Sequence, residues 1–260
     1  MEDRNAPIGV FDSGVGGIST LRTLAKSLPK ENFIFYGDSA NAPYGERPAD
    51  QVYQLSVTAI NQLRKQGIKA LVIACNTATS AAKPQLISRY PDMPILGIEP
   101  ALKQAVDAGK KHILVMATPL TISRPKYQNQ AAKFKDQATI YSLPCPGLAD
   151  RIELGTAGLP QISSLLDQLL APYLGKPIDA LVLGCTHYPF VKDIIAEKLG
   201  GQIEIYTGYD GIERYLEYQL RTKSLLRTEN QKQTIQFMSS RDTPAELALY
   251  QDLFDHGIQR

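Results

Sequence analysis

What this sequence has little of narrows the field first. Its 260 residues contain three cysteines, an odd number with no C-x-x-C pair, which makes a poor disulfide framework and a poor zinc site. A reduced, cytoplasmic compartment is therefore expected. Basic residues exceed acidic ones by only two, for a formal charge of +2. No polybasic block occurs, so neither nucleic acid nor an anionic membrane is an expected partner. The stretch RTKSLLRTENQKQ (221–233) is locally basic, and such a run is most often the solvated end of a helix. No apolar run approaches the ~20 residues that span a bilayer. The N-terminal MEDRNAPIGVFDSG has no apolar region ahead of a cleavage site, so no secretory signal is expected.

What is present is a regular alternation. Short apolar, β-branched runs predict strands at 7–11, 32–37, 70–74 and 94–98, then at 112–117, 138–143, 180–184 and 202–207. Near-continuous apolar runs of this length suit parallel strands buried on both faces. Amphipathic segments lie between them. Ile18, Leu21, Leu24 and Leu28 share one helical stripe, as do Val52, Leu55, Ala59 and Leu63 in a helix over 50–66, with Asp50 as its N-cap and Gly67 as its stop. The pattern predicts an α/β protein of two similar domains, with mainly parallel sheets flanked by helices and an active site in the cleft between them. Pro100 lies close to the seam. The tail after about 208 predicts a helix through Ile212, Tyr215, Leu216 and Gln219, a strand at 234–238 and a helix from Thr243. This tail can complete either domain.

Ligands in open parallel sheets bind beyond the carboxyl ends of the strands, and polar clusters fall at those ends here. Asp12-Ser13-Gly14 follows the first run, and Asp38-Ser39 with Pro43-Tyr44-Gly45 follows the second. Thr118 and Thr121 follow the fifth. DSGVGG (12–17) is not a nucleotide loop, because position 19 is serine where G-x-G-x-x-G needs glycine and Walker A needs Gly-Lys at 19–20. It remains an amide-rich turn at a helix start, able to hold a carboxylate or merely to redirect the chain. Two strands end alike: ALVIACNTAT (70–79) and ALVLGCTHYP (180–189) place Cys75 and Cys185 110 positions apart, each followed by hydroxyl or amide groups. One buried strand-end cysteine is usually inert, and Cys145 is assigned that role. A matched pair suits inversion of a carbon stereocentre, in which one group removes a proton from one face and its partner returns one to the other. A thiol, with a pKa near ~8.5, serves as acid or base.

The motifs DSGVGG (12–17), GDSANAPYG (37–45), ACNTAT (74–79) and GCTHYP (184–189), in this order and spacing, resemble the glutamate racemases, part of a cofactor-independent amino-acid racemase superfamily that includes aspartate racemases. The likeness runs from about residue 7 to about 220. It implies interconversion of L- and D-glutamate without pyridoxal phosphate or any other cofactor or metal, supplying D-glutamate for peptidoglycan. It implies a small-molecule partner, glutamate, and a homodimer. Residues 1–98 plus 208–260 would form one domain and 99–207 the other. Carried over by position, Cys75 and Cys185 are the acid–base pair. Asp12 assists Cys75, and His187 and Glu153 lie near Cys185. Ser13, Tyr44, Gly45, Asn76, Thr77 and Thr186 hold the substrate's carboxylates and ammonium together with Asp12 and His187, and Thr118 and Thr121 match a family threonine pair. Ser39 replaces a frequent threonine and Asn41 a frequent basic residue.

Each assistant has a bland alternative: Asp12 as a helix cap, His187 bonded to backbone, Glu153 on a helix surface. Fold alone also permits a two-lobed protein that captures an acidic amino acid without turning it over. Paired thiols argue against that, and against a thiol hydrolase, which needs one cysteine only.

Overall fold

The computed structural model describes residues 4–228 and 231–258. Every strand of the first series lies in one parallel sheet. β1 (Ile8–Asp12), β2 (Phe33–Gly37), β3 (Ala70–Ile73) and β4 (Ile95–Gly97) are ordered β4-β3-β1-β2. The second series, β5 (His112–Ala117), β6 (Thr139–Pro144), β7 (Ala180–Gly184) and β8 (Glu204–Thr207), forms a separate parallel sheet ordered β6-β5-β7-β8. The two orders are one topology. The first strand of each series sits between the second and the third, and the fourth lies outside the third. β3 and β7 are therefore equivalent strands, and so are the positions of Cys75 and Cys185 that follow them. β9 (Ile235–Ser239) breaks the symmetry by pairing with the outer side of β2, in the register Phe33↔Ile235.

Apolar stripes place the helices. α1 (Ile18–Ser27) lies on one face of the first sheet, through Ile18, Leu21 and Leu24. α2 (Ala49–Lys65) and α3 (Asn76–Arg89) cover the other face through Val52, Ile60, Leu63 and Leu86. The second sheet is covered on one side by α4 (Leu102–Asp107) and, past the short α5 (Pro119–Ser123), by α6 (Pro125–Lys133). On its other side lie α7 (Leu148–Ile152), α8 (Leu159–Leu170) and α9 (Lys192–Lys198). α10 (Tyr209–Thr222) and α11 (Pro244–Asp255) return to the α1 face of the first sheet, burying Ile212, Leu216, Leu220, Tyr250 and Leu253. Each such side chain contributes about 1.5–3 kcal/mol on burial, so the tail belongs to the first core.

Three local expectations differ. Asp50 is not the N-cap of α2. Pro48 holds that position and Asp50 sits in the first turn, where its charge complements the helix dipole. On α10, Tyr215 is half exposed and Leu220 completes the buried stripe, because the interface follows a spacing of four. The basic stretch 221–233 is not a solvated helix end. The helix stops at Thr222, Leu225 is buried, and Arg227 is 4% exposed. The Arg227 amide donates to Glu31 Oε1 at 2.8 Å, and Glu31 also takes Lys69 at 2.5 Å. A buried carboxylate at the amino end of β2 thus draws this segment inward; two of its residues, 229 and 230, lie outside the description.

Candidate active site

The carboxyl ends of the two sheets face each other, and nearly every polar residue anticipated from sequence is buried between them. β1 ends in Asp12. Its Oδ1 accepts the Gly14 amide at 3.0 Å, and its Oδ2 accepts the Thr186 hydroxyl, from the opposite sheet, at 3.0 Å. Past β3, Cys75 N-caps α3, with its sulfur accepting the Ala78 amide at 3.4 Å. Ser13 Oγ lies 3.5 Å from that sulfur and 3.5 Å from Asp12 Oδ1. Past β7, Cys185 Sγ lies 3.6 Å from His187 Nδ1. The other imidazole nitrogen is 2.5 Å from Glu153 Oε1, which accepts the Val15 amide at 2.9 Å. Two polar chains therefore cross the cleft, through Asp12–Thr186 and through His187–Glu153–Val15.

The other flank is held by hydroxyls. Thr77 Oγ1 is 2.9 Å from Thr118 Oγ1, which donates to Thr121 Oγ1 at 3.0 Å. The Leu120 amide donates to the Gly45 carbonyl at 3.1 Å, and the Gly147 amide to Glu46 Oε1 at 3.0 Å. Asn76 and Thr121 border a void of about 20 Å³, room for about one water. The Tyr44 hydroxyl donates to Asp38 Oδ2 at 2.5 Å, so it is committed within its own loop. Asp38 went unassigned in the sequence, although it directly follows β2, next to the β1 end that carries Asp12. It also accepts the Asn41 amide at 2.9 Å, and Ser39 is 2.7 Å from the Tyr250 hydroxyl. Both departures from the family pattern thus pack beside the site. Cys145 is buried in the second core, its thiol facing the Leu143 carbonyl at 3.4 Å.

The glycines of DSGVGG have a different purpose from the one the sequence suggested. Their turn does present amides to an anion, but the Gly14 and Val15 amides are taken by the chain's own Asp12 and Glu153. A Cβ on Gly14 would stand 1.9 Å from Glu153 Oε1, and one on Gly16 would stand 2.5 Å from His187 Nδ1. Glycine here permits close approach of the opposite domain.

Burial sets the electrostatics. Cys75 is 4% and Cys185 6% exposed, and Asp12 is fully buried. Burial, then the Asp12 charge, pushes the Cys75 thiol up to about 12. Burial also raises Asp12 to about 6, against the pull of His187 and the Gly14 amide. For His187 burial disfavours the charge, but its bonds to Cys185 and Glu153 prevail and hold the ring well above its ordinary value. Cys75 therefore faces a carboxylate and Cys185 an imidazolium. The arrangement can give and take protons from two sides of a small molecule, once the cleft opens to admit one. Among the described residues, no cluster of three His, Cys, Asp or Glu side chains is placed to hold a metal. A cavity of about 620 Å³ lies elsewhere, against the crossovers around Glu99 and Gly208, and neither thiol lines it. No helix among the described residues is long and apolar enough to cross a membrane.

Known proteins resemble this chain in sequence and fold. The family model for Asp/Glu/Hydantoin racemase matches residues 8–210. Glutamate racemase from Clostridium perfringens (strain ATCC 13124) is 42% identical over 258 residues, covering 98% of this chain and 99% of that protein. The enzyme of the same name from Clostridium novyi (strain NT) is 44% identical over 248 residues, with 95% and 96% covered. The crystal structure of glutamate racemase from Francisella tularensis in complex with D-glutamate superposes with a TM-score of 0.81 at 30% identity, over 96% of this chain and 94% of that one.

Proposed function

The chain belongs to the Asp/Glu/Hydantoin racemase family, and from that premise we propose that it interconverts L- and D-glutamate by passing the α-proton between two thiols, Cys75 and Cys185. The observation that carries the two-thiol reading is their occurrence at topologically equivalent strand ends, facing one cleft. In one direction the Cys185 thiolate takes the α-proton of L-glutamate. The electron pair left on the α-carbon is delocalised into the α-carboxylate, and the Cys75 thiol returns a proton to the opposite face, ending as thiolate. The reverse reaction exchanges the roles. By family resemblance Cys75 serves the D-isomer and Cys185 the L-isomer.

The α-proton is far less acidic than an ordinary thiol. Burial of Cys75 beside Asp12 narrows that gap by raising the basicity of its thiolate. His187 can hold the proton that Cys185 yields, oriented by Glu153. Ser13, Asn76, Thr77, Thr118, Thr121 and Thr186, with the Tyr44–Gly45 backbone, bind the carboxylates and ammonium, and donors aimed at the α-carboxylate stabilise the charge developing on it. Substrate entry displaces the cross-cleft bonds, so each turnover includes opening and closing of two domains, 1–98 plus 208–260 and 99–207. The reaction uses no cofactor. Its D-glutamate supplies peptidoglycan, which fits a cytoplasmic enzyme, and the working form is a homodimer.

The test uses a glutamate analogue with chloride on the β-carbon. Removal of its α-proton expels chloride, so elimination needs no acid at the α-carbon. Cys75→Ala and Cys185→Ala should each lose racemisation by at least about 10³-fold. Cys185→Ala should still eliminate from the D-analogue and Cys75→Ala from the L-analogue. Elimination by both variants from the same enantiomer would sink the two-base reading.

A further inference from the structure

Behind the Cys185 loop lies a cavity of about 400 Å³ that the reaction does not use. Its walls come from both halves of the molecule: Ser19, Arg22 and Thr23 of α1, Phe190 and Lys192 at the entrance to α9, and Tyr209 at the start of α10. Two cations face this space and no carboxylate lines it. Neither Arg22 nor Lys192 enters an ion pair among the described residues. The Tyr209 hydroxyl is buried there beside Ser19, with no hydrogen bond of good geometry, a costly condition unless a ligand relieves it. Ser19 Oγ is already committed, to the Gly16 carbonyl at 2.7 Å and across the cleft to the Thr186 carbonyl at 2.9 Å.

We propose that this cavity binds a small organic phosphate monoester, and that its occupancy holds the two domains closed. A dianion with three acceptor oxygens matches two unpaired cations and the Tyr209 hydroxyl, since the Thr23 hydroxyl already donates to the Ser19 carbonyl at 3.3 Å. The space is far larger than inorganic phosphate, and Phe190 offers its ring to the carbon portion of the ligand. Because the walls belong to both domains, the ligand binds the closed arrangement more tightly than an open one and shifts the population toward it. Closure buries both thiols, so the bound anion slows glutamate entry. Glutamate does not compete for the same atoms, so the inhibition reaches a plateau. Binding rests on the cavity alone, whereas the effect on turnover rests on the racemase reading above.

Calorimetry without glutamate, at constant ionic strength, separates the two. Glycerol 2-phosphate should bind saturably with a dissociation constant of ~1 mM or below, and more tightly than inorganic phosphate. Arg22→Gln and Lys192→Gln should each weaken it about tenfold, and Tyr209→Phe severalfold, with basal racemisation and melting temperature unchanged. Absence of saturation by ~20 mM, or equal affinity in all three variants, overturns the site. Binding that leaves the racemisation rate untouched overturns the coupling to closure.

Discussion

Replacing Gly16 with alanine tests whether the cleft must close as tightly as it does here. The added Cβ would stand 2.5 Å from His187 Nδ1 and 2.6 Å from Thr186 Oγ1, where ordinary contact begins at 3.4 Å. Neither neighbour can yield freely, since Thr186 is bonded to Asp12 and His187 lies between Cys185 and Glu153. The domains must part by about 0.9 Å, or the imidazole must leave the thiol. A misplacement of about 1 Å in a reacting constellation costs up to ~10²-fold in rate, so kcat should fall by that order. The clash lies between domains rather than within a core, so stability should change by about 1 kcal/mol or less. Parting the domains also exposes the thiols, and alkylation of Cys75 and Cys185, followed by mass spectrometry, should accelerate. Gly211→Ala is the control: it sits in α10 with nothing within 4 Å of its would-be Cβ, and should leave the rate alone. A Gly16→Ala protein with kcat within about threefold of the parent and thiols equally protected would refute close approach as the reason for glycine.

Two further outcomes follow from burial at the site. Asp12 is raised from 3.8 to about 6, so the folded state binds this proton more tightly than the unfolded state does. Its ionisation therefore costs nothing below the unfolded value and about 3 kcal/mol above the folded one, at 1.36 kcal/mol per unit. Asp12→Asn should gain up to about that much stability relative to the parent between pH 4 and pH 7, in urea titrations at the two pH values, while racemisation falls at least about tenfold; a stability difference independent of pH would remove burial as the cause. Iodoacetamide should inactivate the enzyme and glutamate should protect it, with label on Cys75 or Cys185; label confined to Cys145 with full inactivation would contradict the assignment.

The strands were legible because parallel strands buried on both faces leave nearly unbroken apolar runs, and each predicted run is a strand in one of the two sheets. Equivalence of the two cysteine positions was legible too, since ALVIAC and ALVLGC carry the same local pattern. What could not be read depends on partners distant in sequence. Arg227 is buried because Glu31, 196 positions away, takes its amide. The turn over 12–17 looks like an open anion site until Glu153, 138 positions beyond Val15, fills it. Asp38 offered a signal, a carboxylate at a strand end in the same loop as Tyr44, but its pairing with the tyrosine hydroxyl depends on how that loop folds back.

The same dependence separates two thiols that topology makes alike. Cys75 faces a carboxylate, and its thiol holds its proton to about pH 12, whereas Cys185 faces a histidine kept in its charged form. On the proposed two-thiol reading, the proton that Cys75 holds is ready for donation to the face that becomes the D-isomer. This asymmetry cannot bias the equilibrium, because enantiomers have equal free energy in water. It follows that kcat/KM must be the same in both directions. A lead in kcat for one enantiomer must then be matched by a proportionally higher KM for it. On the two-thiol reading, unequal charge around equivalent sulfurs governs how each direction divides between binding and turnover, and measuring kcat and KM for both enantiomers tests it.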